Sequence, residues 1–400
     1  QHFSEKQVAG SDKDFMIVRH LTMRGSNEAI GKKLAEIAAT RHGFDLSADS
    51  SEQTRKRWAF YKKHYPNHYA RAAGVADYFG APVGGPADTL GLWYNLQLAP
   101  ACSVVYYPPA FTATGNAVLS RNYDFSTATY PEMIGAKPPH GLRPWTADPY
   151  VIEVYPDQGH ASLYICAYDL LGGCLDGVNE KGLCVALLSN NDPYEVTPPQ
   201  PSRGSRVGLS ETELTRFLLD RCATVEDARR LLTSVPVYYS MMPCHYIIGD
   251  RTGASLVFEY STDLEEPHLT DGKGAPQVIT NHPVHQYERD GKKKISSGNS
   301  FGRSRTLENE IDAAPKARTL NDIKKANACV KARSPAGQRV PGLPSGLNRT
   351  FWHSIFDCTD RSMEVDFYLG EDASTPGGER RSGYLKFRLD QSATAKTNDR

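Results

Sequence analysis

The 400-residue chain carries 46 basic and 46 acidic side chains, so it has no net charge with which to attract a nucleic acid or another polyanion. Its 40% apolar content suffices for one large layered core or two domains, and no uninterrupted apolar run is long enough to cross a bilayer. Neither a nucleic acid nor a membrane is therefore expected as a partner. The eight cysteines, at 102, 166, 174, 184, 222, 244, 329 and 358, contain no CxxC pair. Several sit in apolar runs, as in Tyr164-Ile-Cys166-Ala and Leu183-Cys184-Val, and read mainly as reduced core thiols, with one late disulfide, Cys329 with Cys358, left open. No initiator Met and no signal-like start are present, so Gln1 reads as a processed or cut end and the compartment stays open.

In chain order, Phe15 to Val18 is a short apolar run, and Ser26 or Asn27 then caps an amphipathic helix with Ile30, Leu34 and Ile37 on one face. Tyr69 to Phe79 and Pro86 to Leu98 carry two more helical patterns, so residues 1–101 are expected to be mostly helical. From Cys102 the character changes to short strands and turns. Strands are expected at Val104 to Tyr107, Ala117 to Asp124, Val151 to Tyr155, Ser162 to Ala167, Leu171 to Val178 and Gly182 to Ser189. Further strands follow at His245 to Gly249, Ser255 to Tyr260 and Val278 to Thr280, and a terminal hairpin at Phe351 to Phe356 with Met363 to Leu369. Val185 to Leu188 and Ile247-Ile248 are continuous apolar runs, as expected of strands covered on both faces. Ser210 and Glu213 form a capping box before an amphipathic helix, Thr224 to Leu232 repeats the pattern, and Gly302 to Ala313 gives another helix. Residues 132–148 and 263–300 read as long surface loops, and the polar tail past Glu371 is expected to fray. Strands, then helices, then strands again predict an α+β fold of antiparallel sheets with helices packed outside them.

The stretch from Cys102 to Phe125 carries the chemistry. It reads as a hairpin with a thiol opening its first strand and Arg121 and Asp124 ending the second. A guanidinium beside a thiol favours the thiolate, and a carboxylate can hold a cationic amine by a charge-assisted hydrogen bond. The alternative is a small buried hydrophobe beside a local ion pair. Residues three apart on a regular strand face opposite ways, so Arg121 and Asp124 converge only where the strand bends or ends. Two other constellations are weaker. Pro283 denies His282 and His285 the helical spacing of a zinc hydrolase, and adjacent Cys244 and His245 face apart on a strand, leaving His245 as a satisfied strand histidine. No metal or other cofactor is called for, and Asn348-Arg-Thr is a lone glycosylation sequon of a kind that arises by chance.

The spacing of Cys102 and Arg121-Asn-Tyr-Asp-Phe125 resembles the start of the catalytic chain in cysteine N-terminal-nucleophile (Ntn) hydrolases. That group holds the choloylglycine hydrolases, penicillin V acylases and isopenicillin N acyltransferase-like proteins. Asp176-Gly-Val-Asn-Glu-Lys-Gly-Leu183, His245-Tyr-Ile-Ile-Gly-Asp-Arg-Thr-Gly253 and Ile279-Thr-Asn-His-Pro283 match further segments in the same order. Gly25-Ser-Asn-Glu-Ala-Ile-Gly31 resembles the front of the acyltransferase-like branch. The resemblance implies a four-layer αββα sandwich at 102–370, preceded by residues 1–101 as a propeptide or small subunit and followed by the tail at 371–400. It implies cleavage at Ala101-Cys102, where the acyltransferase pattern has Gly before Cys, after which Cys102 is nucleophile and its own α-amine the base. The ordinary pKa values of these groups, roughly 8 for the amine and about 8.5 for the thiol, allow proton exchange near neutrality. By the same resemblance Asn281 supplies a side-chain oxyanion donor, Asn179 a backbone one, and Arg303, with Arg305 as alternative, supports the site.

The expected activity is hydrolysis or acyl transfer at a linear, non-peptide amide of a small N-acyl substrate. The cleaved N-terminal fragment would be retained, and a higher oligomer stays open. The other readings are a catalytically inactive Ntn-fold binding or scaffold protein with Cys102 internal, and more distantly a papain-type protease.

Overall fold

The structure is a computed structural model that describes residues 1–46, 52–85, 101–133, 136–167, 170–190, 207–239, 243–260, 267–285, 299–333 and 346–390. The expected helix at Pro86 to Leu98 lies outside these residues. Strands are β1 (His2–Ala9), β2 (Val18–Gly25), β3 (Ala101–Tyr107), β4 (Val118–Ser126), β5 (Tyr150–Pro156), β6 (Ser162–Cys166), β7 (Asp176–Asn179) and β8 (Leu183–Ser189). They continue as β9 (Cys244–Asp250), β10 (Ser255–Tyr260), β11 (Pro267–Asp271), β12 (Gln277–Ile279), β13 (Asn348–Asp357), β14 (Ser362–Glu371), β15 (Glu379–Arg381) and β16 (Leu385–Arg388). Helices are α1 (Asn27–His42), α2 (Glu52–His64), α3 (Pro66–Tyr78), α4 (Tyr130–Met133), α5 (Glu211–Arg221), α6 (Val225–Leu232), α7 (Asn299–Ala313) and α8 (Leu320–Ala328).

Two sheets stack face to face. One runs β1-β2-β5-β6-β7-β8-β9-β10-β11; the other runs β12-β3-β4-β13-β14-β15, with β16 also on β14. All pairs are antiparallel except β2 with β5, which is parallel. Strand β3 packs on β8 and β9, and β13 on β7; α5 and α6 cover the outer face of the first sheet, while α7 and α8 cover that of the second. The layers are therefore helix, sheet, sheet, helix. Covered on both faces, β8 and β9 are buried at every residue, which is why their sequences run apolar without alternation. Gly249 marks the close approach of the sheets: a Cβ there would lie 2.2 Å from the Tyr106 ring.

Three features depart from the sequence reading. Residues 1–85 do supply α1 to α3, but also β1 and β2, an edge the exposed polar pattern of β1 concealed. The 263–300 segment, read as loop apart from the strand at Val278 to Thr280 that β12 realises, also holds β11, which pairs with β10. The tail does not fray at 371: β15 and β16 return to β14, Phe387 and Leu389 are buried, and Arg381 grips Asp366 at 2.6 Å.

The N-terminal helices are locked to the core through α5. Ser26 caps α1, and α1 crosses α3 so closely that a Cβ on Gly31 would lie 1.9 Å from Arg71 O, and one on Gly74 1.9 Å from Glu28 O. From α3, Arg71 donates to Asp220 of α5 at 2.6 Å and to Asn27 Oδ1 of α1 at 2.7 Å. Tyr65 donates to Asp220 at 2.6 Å, and Tyr61 to Glu213 at 2.8 Å. Burial opposes ionisation of Asp220, yet Arg216 and Arg71 hold its carboxyl below the usual range. For Glu213 burial wins and pushes the carboxyl up.

Candidate active site

Cys102 is the second residue of β3, directly opposite Tyr123 of β4, with Ala101 opposite Asp124. Directly opposed residues share a face, so Cys102, Arg121 and Tyr123 point together into the space between the sheets. There Arg121 Nη2 lies 3.6 Å from Cys102 Sγ and donates to Leu187 O at 2.8 Å, while its Nη1 sits 3.1 Å from Asp176. Its guanidinium also covers the Tyr123 ring at 4.7 Å. Asp176, at the start of β7, further accepts from Ser354 at 2.8 Å. The ion-pair partner of Arg121 is thus Asp176 and not Asp124, as strand alternation requires.

Asp124 faces the other side, toward the helices. It accepts from Thr350 Oγ1 at 2.5 Å, and Thr350 in turn accepts from Ala332 N. The ladder between β4 and β13 shifts register between Thr350 and Trp352, so a bulge lies beside Asp124. Burial pushes the Asp124 carboxyl up to about 6, against the opposing pull of Arg303, Thr350, Arg121 and Ala332.

The backbone of Cys102 is held from a third direction. Its N–H donates to Asn281 Oδ1 at 2.7 Å, and Arg303 Nη2 donates to the same oxygen at 2.7 Å while its Nη1 bonds Cys102 O. Asn281 Nδ2 donates to Ser189 O at 2.8 Å and to Ser189 Oγ at 2.9 Å. These partners fix the orientation of the amide: oxygen toward the Cys102 nitrogen, nitrogen toward the end of β8. Asn281 N donates to Ser300 Oγ at 2.7 Å, so the first turn of α7 steadies the residue that Arg303, one turn on, also binds. Burial pushes the Cys102 thiol up, Arg121 opposes it, and the Asp124 charge adds to the rise; the Asp124 backbone N–H and Arg303 act to lower it. In the continuous chain the thiol is only 1% exposed.

Five of the six expected residues therefore gather here: Cys102, Arg121, Asp124, Asn281 and Arg303. Asn179 does not. It ends β7, where its side chain donates to Leu219 O and Cys222 O and accepts from Lys181 and Leu183 N–H, closing the β7–β8 turn against α5. It stands three residues beyond Asp176, the partner of Arg121, about 10 Å along the strand. The residue that β8 brings to Asn281 is Ser189, with buried Asn190 next to it. The signal was a Ser-Asn pair closing the apolar run Val185 to Leu188. Cys329 is exposed and Cys358 lies against Cys184, Sγ to Sγ 3.1 Å, so the two cysteines left open for a disulfide are not together. His282 stacks on Phe301 at 3.9 Å and His285 on His268 at 3.7 Å. Among the described residues no histidine is hydrogen-bonded to Cys102, which removes the geometry of a papain-type protease.

A family model described as acyl-coenzyme A:6-aminopenicillanic acid acyl-transferase matches residues 112–372. The chain belongs to this family. It is the Ntn-hydrolase group that the motifs from Cys102 to Pro283 resemble. The match begins at residue 112, beyond Cys102. Among solved structures, the chain is similar to a penicillin V acylase from Agrobacterium tumefaciens, at 21% identity over 73% of this chain and 86% of that one, TM-score 0.46. It is also similar to a mutant conjugated bile acid hydrolase from Clostridium perfringens, at 14% identity over 74% of this chain and 98% of that one, TM-score 0.48. An uncharacterized protein of Paramecium bursaria Chlorella virus 1 is 25% identical over 130 residues, 31% of this chain and 44% of that protein, so the family member spans less than half of its viral relative.

Proposed function

We propose that the chain is a cysteine amidohydrolase or acyltransferase acting on a linear, non-peptide amide of a small N-acyl compound. The observation that carries this reading is the double hold on Cys102: its Sγ faces Arg121 at 3.6 Å while its backbone nitrogen is already bonded to Asn281 Oδ1 at 2.7 Å. Family membership supports acyl transfer as the reaction class.

Maturation comes first. The Cys102 thiol attacks the Ala101 carbonyl carbon; the C–N bond breaks as the thioester forms, and the nitrogen takes the thiol proton to become the Cys102 α-amine. Water then cleaves the C–S bond, leaving the Ala101 carboxylate and restoring the Cys102 thiol. Asn281 Oδ1 then accepts from that amine, and Asp124, behind it, offers negative charge to its protonated form. In turnover the amine takes the thiol proton, Sγ attacks the substrate carbonyl, and the amine's proton passes to the leaving nitrogen. Water or a second amine resolves the acyl-enzyme. Asn281 Nδ2, beside Ser189, is the side-chain donor for the oxyanion; a donor of this kind contributes roughly 10²–10³ in rate. Arg121, neutralised by Asp176, favours the thiolate without leaving a bare buried charge. Residues 1–101 stay bound after cleavage, since β2 lies within the larger sheet and α3 is ion-paired to α5.

The test is to incubate the mature protein with a panel of N-acyl compounds and read the mass of the Cys102 peptide. An acyl adduct on Cys102, absent in Cys102→Ala, supports the proposal; turnover that survives Cys102→Ala ends it.

A further inference from the structure

Behind Asn281 lies a buried pair that the steps above do not use. His245 of β9 and Glu259 of β10 stand directly opposite in the ladder and are 0% and 1% exposed. His245 Nε2 is 2.6 Å from Thr280 O, and its Nδ1 is 3.4 Å from Glu259 Oε2. Glu259 also accepts from Val284 N–H at 3.0 Å and from His285 N–H at 2.5 Å. A carbonyl oxygen only accepts, so Nε2 carries a hydrogen. A carboxylate bonded to two amides is itself an acceptor, and His245 Nδ1 faces it at 3.4 Å.

We propose that His245 and Glu259 form one positioning unit for Asn281, a reading that rests on the acyl-transfer function above. Glu259 takes the two amides after the Asn281 turn, and His245 takes the carbonyl before it. The pair belongs to the nine-stranded sheet, whereas β12, which leads into Asn281, belongs to the other. Ser189, the partner of Asn281 Nδ2, is opposite Cys244 in the β8–β9 ladder, one residue from His245. The unit therefore fixes Asn281 across the gap between the sheets, relative to both Ser189 and Cys102. The bonds from Val284 N–H and His285 N–H to the Glu259 carboxylate suit the task because charge-assisted bonds are shorter and stronger than neutral ones. Neither residue touches the reacting atoms, so both act through Asn281.

The experiment compares wild type, His245→Leu, His245→Gln, Glu259→Gln and Cys102→Ala on chromogenic N-acyl p-nitroanilides graded from phenylacetyl to decanoyl. Turnover is expressed per Cys102 acylated, with folding checked by circular dichroism. His245→Leu is expected to lose at least tenfold in kcat, against about 10²-fold for a 1 Å misplacement. KM should stay within about threefold, because ground-state binding is untouched. His245→Gln, whose amide N–H can still reach Thr280 O, should recover part of the loss, and Glu259→Gln should fall between. If folded His245→Leu and Glu259→Gln keep wild-type kcat, or change KM alone, the positioning role is wrong while the acyl-transfer reading stands. If wild type acylates on no substrate, or Cys102→Ala turns over normally, the acyl-transfer reading fails and takes this one with it. Should His245→Leu not fold, Glu259→Gln decides the matter alone.

Discussion

Replacing Asp220 by alanine removes the carboxylate that ties α3 to α5. In the intact protein it accepts from Tyr65 and Arg71 at 2.6 Å each and pairs with Arg216 at 3.1 Å, and no side chain of either ion pair is more than 5% exposed. Solvent screening is therefore slight, and the substitution leaves two buried guanidinium groups without their counter-charge. Breaking such a pair costs about 3–5 kcal/mol, and a lost hydrogen bond from Tyr65 adds about 1. Arg71 keeps Asn27 Oδ1 and Arg216 keeps Ser162 Oγ, which limits the total to about 4 kcal/mol. Urea denaturation of the uncut chain, in a Cys102→Ala background, measures it directly. In the cut protein the same loss appears as roughly 10³-fold weaker retention of the N-terminal fragment. Adding Arg71→Met should restore part of the stability, because it removes one of the stranded charges. The depressed Asp220 carboxyl contributes stability above its unfolded value, so this contribution should fade as pH falls below about 4. A loss under about 1 kcal/mol, or none recovered in the double variant, would refute the locking role of the cluster.

Asp124→Asn separates function from stability. The folded carboxyl, at about 6 against an ordinary value of 3.8, binds its proton more tightly than the unfolded one, so stability is lost as pH rises from about 4 through 6. The variant should be more stable than wild type at pH 8 by up to roughly 3 kcal/mol, equally stable near pH 3, and impaired in turnover; a pH-independent difference in urea denaturation would contradict this. Gly74→Ala forces a Cβ to 1.9 Å from Glu28 O and 2.8 Å from Lys32 N, so overpacking of about 1–3 kcal/mol outweighs the ~1 kcal/mol gained in helix propensity. A raised denaturation midpoint would show that α1 and α3 are not in backbone contact. Native labelling of the uncut chain with iodoacetamide should modify Cys329 first, because the other cysteines are buried; fast labelling of Cys102 would contradict its burial.

The hairpin from Cys102 to Asp124 was legible because an apolar run, a turn and a second apolar run are local signals, and Asn281 and Arg303 followed from motifs of similar compactness. Strand alternation also anticipated that Arg121 and Asp124 would face apart, and the structure resolves this by giving Arg121 to Asp176. Neither Asp176 nor Ser189 could be read as site residues, since their roles arise from one sheet lying on another, between positions tens of residues apart. An asparagine in a Val-Asn-Glu-Lys-Gly turn has the same sequence whether it faces the thiol or closes the turn, and the Asn179 side chain closes it. The polar edge strand β1 has no burial alternation to detect. In the tail, Leu385, Phe387 and Leu389 do alternate, and that period of two was the overlooked sign of β16.

Intact mass spectrometry of purified wild type beside Cys102→Ala tests the central claim most directly. Self-cleavage predicts two wild-type species, residues 1–101 and 102–400, that co-elute under native conditions, and one uncut species for the variant. An uncut wild type that nevertheless turns over N-acyl substrate, or a variant cut at the same bond, would contradict it.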